Sequence, residues 1–148
     1  MKYIIKDFEY YLNNEKGSSK NTIDSYLVDL KQYIAFLDKY HQINKPKFIE
    51  KKHIEGFLKS SRKNISSKSL ARKLTSIKSF HHFLLIEKEV DVDVAKGFAA
   101  PKIEKSLPQV LSVDEVVSIL EQVDKTKPLG LRNLSLLELI YGSGLRVT

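Results

Sequence analysis

Ser69 to Leu85 read SLARKLTSIKSFHHFLL. In and around this stretch Leu70, Leu74, Ile77, Phe80, His81, Leu84 and Leu85 recur at steps of three and four, the spacing that stacks side chains along one side of an α-helix. Neither proline nor glycine interrupts from Ser66 to Glu89, and Ser66 and Ser67 offer hydroxyl caps at the amino end. The opposite side is predicted to carry Lys68, Arg72, Thr75, Ser79 and His82, cations mixed with short hydroxyl side chains. Short hydroxyls let a helix approach closely and donate to phosphate oxygens, while arginine reaches either phosphate or the acceptor edge of guanine. Lys68, Arg72, Thr75 and Ser79 are therefore candidate DNA contacts. His81 falls on the apolar stripe and reads as a core histidine; His82 lies about 100° around the helix, so the two cannot share one metal ion.

Three further helices are expected ahead of this one. Ile4, Phe8, Tyr11 and Leu12 form the first stripe, which ends at Asn13, Asn14 and the Gly17-Ser18-Ser19 turn. Ile23, Tyr26, Leu27, Leu30, Tyr33, Ile34 and Leu37 form a longer one, with Ser19 or Asn21 as its cap and Asp24 in its first turn. A loop containing Pro46 follows, then a short helix from His53 to Ser60 offering Ile54, Phe57 and Leu58. Downstream of Glu89 the pattern weakens to a turn and a brief helix near Val94 to Ala99. PKIEKSLP, bounded by Pro101 and Pro108, has the composition of a linker. In LSVDEVVSILEQV, Ser112 and Glu115 make a capping box ahead of Val116, Val117, Ile119, Leu120 and Val123. A last helix is expected from Leu131 to Tyr141, with Gly142 as its left-handed stop.

Charge is distributed unevenly. The whole chain of 148 residues carries a formal net charge of +7. Residues 1–106 hold 21 Lys and Arg against 13 Asp and Glu, whereas residues 107–148 hold 4 against 5, so the whole surplus lies upstream. From Lys59 to Ile86 there are Lys59, Arg62, Lys63, Lys68, Arg72, Lys73 and Lys78 and no acid. Such an interval suits a polyanion, because each phosphate neutralised releases condensed counterions; it also suits a plain solvated face. With 42% hydrophobic and 29% charged residues of both signs, the chain has enough apolar surface to fold. The lack of cysteine removes disulfides, thiolate chemistry and zinc ribbons from consideration. No apolar run reaches the length of a membrane span and none reads as a signal peptide, which makes a soluble cytoplasmic protein the expectation.

The order of a basic four-helix module, a PK…LP linker, an LSVDEV helix and LRNLSLLELIYGSGLRVT resembles the tyrosine recombinases of the Xer and phage-integrase superfamily. NTIDSYLVDLKQYIAFL and SLARKLTSIKSFHHFLL are similar to the two helices with which that family's core-binding domain grips DNA, and Lys20 and Thr22 join the candidate contacts on that ground. The resemblance implies an all-α chain: a four-to-five-helix SAM-like core-binding domain over residues 1–100, a linker over 101–107, and over 108–148 the first helices of a mainly α catalytic domain. Its most specific element is GLRV, where the family places its first catalytic arginine, here Arg146. Asn133 stands where an aspartate is common and Gly142-Ser143 replaces an alanine-threonine pair; neither removes a catalytic group.

The implied chemistry is site-specific recombination. A tyrosine attacks a DNA phosphodiester, a 3′-phosphotyrosine forms, and the chemistry is reversed with another strand. Arginines, a lysine and histidines stabilise the transition state, so neither metal nor cofactor is implied. The implied partners are double-stranded DNA and further recombinase protomers, as a homo- or hetero-tetramer on DNA, and no membrane. Tyr3, Tyr10, Tyr11, Tyr26, Tyr33, Tyr40 and Tyr141 all lack the expected context of the nucleophile. The expectation is therefore a truncated product, a proteolytic fragment or an interrupted reading frame, inactive alone. The first helix begins almost at Met1, which favours a Xer-like enzyme over one with a separate arm-binding domain. Two rival readings stay open: a non-catalytic DNA-binding accessory module, and a helical domain whose basic face meets an acidic protein.

Overall fold

The computed structural model describes residues 2–63, 65–101 and 110–146. The chain divides into two compact units, Met1–Glu104 and Lys105–Thr148. Among the described residues the regular structure is entirely helical, as the resemblance implies. The first unit holds α1 (Lys2–Tyr10), α2 (Lys20–His41), α3 (Lys51–Arg62) and α4 (Ser67–Ile86); the second holds α5 (Val113–Glu121) and α6 (Gly130–Ser143). Apart from Pro101, the linker expected at 101–107 lies outside the described residues.

The core of the first unit is built from the apolar stripes. Phe8, Leu12, Leu30, Tyr33, Leu37, Ile54, Ile77, Phe80 and Leu84 are fully buried. Phe8 of α1 meets Phe80 of α4 edge-on with ring centroids 5.4 Å apart, and Tyr33 of α2 packs on Phe57 of α3 at 5.2 Å. α1 passes into a π-turn, Tyr11–Glu15, closed by Lys16 N–H on the Tyr11 carbonyl at 3.0 Å. The chain then reverses at Gly17, whose φ of +58° a side chain would resist, and Ser18 N–H reaches back to the Leu12 carbonyl at 2.9 Å.

Several boundaries differ from the expectation. Ser19 does cap α2, accepting from Thr22 N–H, but α2 begins at Lys20, so Asp24 falls just beyond the first turn. The Pro46 loop contains a 3₁₀ turn, Pro46–Phe48, flanked by the buried Ile43 and Ile49. The brief helix expected near Val94 to Ala99 is absent: residues 94–97 form turns closed by isolated i→i+3 bonds, Lys96 N–H on the Asp93 carbonyl at 3.4 Å and Phe98 N–H on that of Ala95 at 3.3 Å, with the Asp93 carboxylate accepting the Ala95 N–H at 2.8 Å. Leu85, placed on the apolar stripe by spacing, is exposed.

In the second unit the capping box forms as expected, with Ser112 N–H on Glu115 Oε2 at 2.7 Å and Glu115 N–H on Ser112 Oγ at 3.3 Å. α6 runs through Gly142, and its left-handed stop is Gly144, at φ +63°. The Ser143 hydroxyl donates back to the Leu139 carbonyl. At the start of α6 a Cβ on Gly130 would stand 2.0 Å from the Asp124 carbonyl oxygen, so only glycine lets the preceding turn close against the helix.

His81 is enclosed, 1% exposed, with Nε2 3.3 Å from the Tyr33 hydroxyl and Nδ1 without a partner among the described residues. Burial lowers its pKa from the ordinary 6.5 to about 4, opposed weakly by the Asp93 carboxylate. The unfolded imidazole protonates near pH 6.5 and the folded one only near about 4, so the unfolded state binds more protons between these values. Stability is full above the upper value and is expected to fall by up to about 1.4 kcal/mol per pH unit on descending toward the lower one. Denaturant melts of His81→Gln, which keeps a polar group beside Tyr33 but does not titrate, should show a shallower pH dependence across this window.

Candidate nucleic-acid interface

The amino ends of α2 and α4 are built alike. Each opens on a serine cap: Ser19 accepts from Thr22 N–H at 3.3 Å and Ser66 from Ser69 N–H at 3.2 Å. Each carries a lysine in its first turn, Lys20 and Lys68, and neither has an acid there. A cation at the positive end of the helix dipole is locally unfavourable, and a docked anion would reverse that balance. Both lysines are exposed.

The two helices are joined where Arg72, the sixth residue of α4, meets Ser25, the sixth of α2. Arg72 Nη1 donates to the Ser25 carbonyl at 3.0 Å and to Asp29 Oδ2 at 2.6 Å. Asp29, whose side chain is 1% exposed, also accepts from Lys73 Nζ at 3.1 Å. Lys73 is itself 6% exposed, donates to Gln32 Oε1, and lies 5.9 Å from the centre of the Phe57 ring. One carboxylate thus sits between two cations. Arg72 remains 42% exposed, and its Nε and Nη2 donate to nothing among the described residues.

The expected contact residues are distributed as follows. Lys20, Lys68, Arg72 and Thr75 are exposed, though the Thr75 hydroxyl already donates to the Ala71 carbonyl at 2.9 Å. Thr22 is half-buried within the α2 cap, its hydroxyl 2.9 Å from that of Ser19. Ser79 departs from the expected face: it is 8% exposed and accepts from Lys16 Nζ at 3.3 Å, because α4 is covered on more than one side. Lys73, counted above within the acid-free basic interval, is spent on Asp29 and is not available to an external anion. Arg146 lies two residues beyond the α6 stop, exposed and outside any helix, and makes no ion pair among the described residues. It belongs to the second unit, the other candidates to the first. Asp29, Ser25 and Gln32 escaped the sequence reading. The signal was there: Asp29 sits between Tyr26 and Tyr33 on the inward side of α2, a poor place for a carboxylate without a cation opposite.

The description of the phage integrase N-terminal SAM-like domain matches residues 5–88. The chain is similar to the tyrosine recombinase XerD of Listeria innocua, 38% identical over 149 residues, which cover all of this chain and 50% of that protein. It is likewise similar to the tyrosine recombinases XerD of Staphylococcus epidermidis, at 42% over 151 residues, and Staphylococcus haemolyticus, at 41% over 149, with the same shares covered. The chain belongs to the phage-integrase family of tyrosine recombinases and is Xer-like within it. It spans about half the length of the curated relatives it matches. Among the described residues no helix is long and apolar enough to cross a membrane.

The buried cluster sets a stability test. Asp29→Ala strands the Lys73 charge in the interior and is expected to cost about 3 to 5 kcal/mol in urea unfolding. The exposed Arg72 half is screened and contributes the smaller share. Asp29→Leu combined with Lys73→Met, which removes the buried pair together, should recover most of that loss.

Proposed function

We propose that this chain is the DNA-gripping part of a Xer-like site-specific recombinase, with Arg146 as one of the cations of its reaction centre. The observation that carries the reading is the paired basic amino ends of α2 and α4, tied together through Arg72. Lys20 and Lys68 neutralise backbone phosphates there, and the helix ends and cap hydroxyls add donors and a favourable dipole. Arg72, half-exposed and held by α2, reads a base edge or a phosphate. Thr75 lies on the same exposed side and packs against the sugar-phosphate backbone; Thr22 keeps the α2 end in shape. Ser79 has no part in the contact.

In the strand-exchange reaction Arg146 donates two parallel N–H groups to the non-bridging oxygens of the attacked phosphate. Charge accumulates on those oxygens as the tyrosine ester forms, so a fixed guanidinium is worth more in the transition state than in the ground state. Lysine would supply the charge but not the fork. The partners on this reading are duplex DNA and further recombinase protomers assembled on it.

Binding of the chain to duplex DNA should weaken steeply with salt, by roughly three decades from low to physiological ionic strength if about six phosphates are contacted. Affinity that barely changes with salt would refute phosphate neutralisation. Lys68→Ala should weaken every duplex alike and reduce the salt slope by about one, whereas Arg72→Ala should cost about 1 to 3 kcal/mol on a preferred sequence.

A suicide duplex nicked beside the crossover point should yield no covalent adduct with this chain. An adduct would make one of the seven tyrosines the nucleophile. In a full-length recombinase carrying this half, Arg146→Lys should keep site binding and lose most of the cleavage rate.

A further inference from the structure

We infer that Asp29 is the positioning residue for sequence reading by Arg72, and that Lys73 offsets its charge so that the cluster still presents one net positive charge to DNA. The inference rests on the DNA-binding reading above. An exposed arginine samples many rotamers, and a base contact must overcome that entropy each time it forms. Here Arg72 is anchored by one nitrogen, Nη1, to two acceptors on α2, the Ser25 carbonyl at 3.0 Å and Asp29 Oδ2 at 2.6 Å. That leaves the Nε–Nη2 edge, two parallel donors on the same side of the guanidinium, without a partner among the described residues. This is the edge that matches the O6 and N7 acceptors of guanine.

A carboxylate that orients an arginine ordinarily cancels its charge and repels the phosphates nearby. Lys73 removes that conflict. It lies 3.1 Å from Asp29 Oδ1, buried where no polyanion reaches it, so its charge serves the carboxylate and leaves the Arg72 charge facing outward. A lone buried Asp–Arg pair would hold the side chain equally well but present no net charge. The second, buried cation is costly to desolvate and is accounted for by this division of labour.

The test uses the whole chain and a library of randomised duplexes. Sequences enriched by the wild-type chain are compared in affinity and salt slope with a scrambled duplex of the same composition. In the double variant Asp29→Asn/Lys73→Met the cluster keeps one net positive charge but loses its ionic anchor. Its affinity for the scrambled duplex and its salt slope should match wild type, while the preference for enriched over scrambled duplex falls on the order of tenfold. Lys73→Met alone leaves Asp29 to neutralise Arg72, and should weaken both duplexes and lower the salt slope by about one. A purely structural role would instead weaken both duplexes in every variant in step with lost helicity.

Arg72→Lys, which keeps a cation beside Asp29, should also lose the preference while keeping the scrambled affinity. Retention of the full preference by Arg72→Lys, or by a folded double variant, would overturn the inference. So would a wild-type chain that binds all duplexes with a steep salt slope and enriches none, an outcome that leaves the DNA-binding reading standing. A chain that binds no duplex would refute that reading itself.

Discussion

The first unit depends on one buried carboxylate. Asp29 lies in the interface of α2 with α4, where an unpaired charge would cost several kcal/mol, and it is neutralised only because Arg72 and Lys73 arrive opposite it. The pairing favours one register of one helix against the other: a slip of one turn would set Lys68 and Ser69, or Ser76 and Ile77, opposite Asp29 in place of its two cations. Hydrophobic stripes would tolerate several such registers; the ion cluster selects one. It also fixes where the basic surface goes, since the same contact that sets the register sets the Arg72 guanidinium.

Most of the fold was legible because its cores are periodic. The stripes of α2 and α4 predict the buried residues well, since a helix that packs on neighbours must repeat at 3.6 residues, and the Ser112–Glu115 capping box is a local signature that needs no tertiary context. Elsewhere the reading failed. The turns at residues 94–97 close on isolated i→i+3 bonds and do not propagate, and α6 continued past Gly142 because a glycine can occupy a helix as well as end one. Ile43 and Ile49 joined the core from a loop, where isolated apolar residues carry no period.

The candidate site was legible in composition and illegible in pairing. The acid-free run from Lys59 to Ile86 pointed to α4, but it counted Lys73 and Arg72 as equivalent cations. Their partner is more than forty residues away in sequence, on α2, so neither the burial of Lys73 nor the anchoring of Arg72 has a local signature. Ser79 shows the same limit: one face of α4 was assumed free, yet Lys16 reaches across from the turn after α1 to cover it. Arg146 is proposed from its motif alone; the second unit shows it exposed and beyond a glycine stop, and the chemistry proposed for it rests on the resemblance of GLRV.

On the proposed function, the amino ends of α2 and α4 form one surface that grips duplex DNA. It is tested most directly by titrating isotope-labelled chain with a duplex and following its backbone amide resonances by NMR. Shifts concentrated at residues 19–25 and 66–75, with the Arg72 side-chain Nε–H signal moving and sharpening, are the expected result. Shifts confined to α1, α3 or the second unit, with those two segments unmoved, would contradict the account.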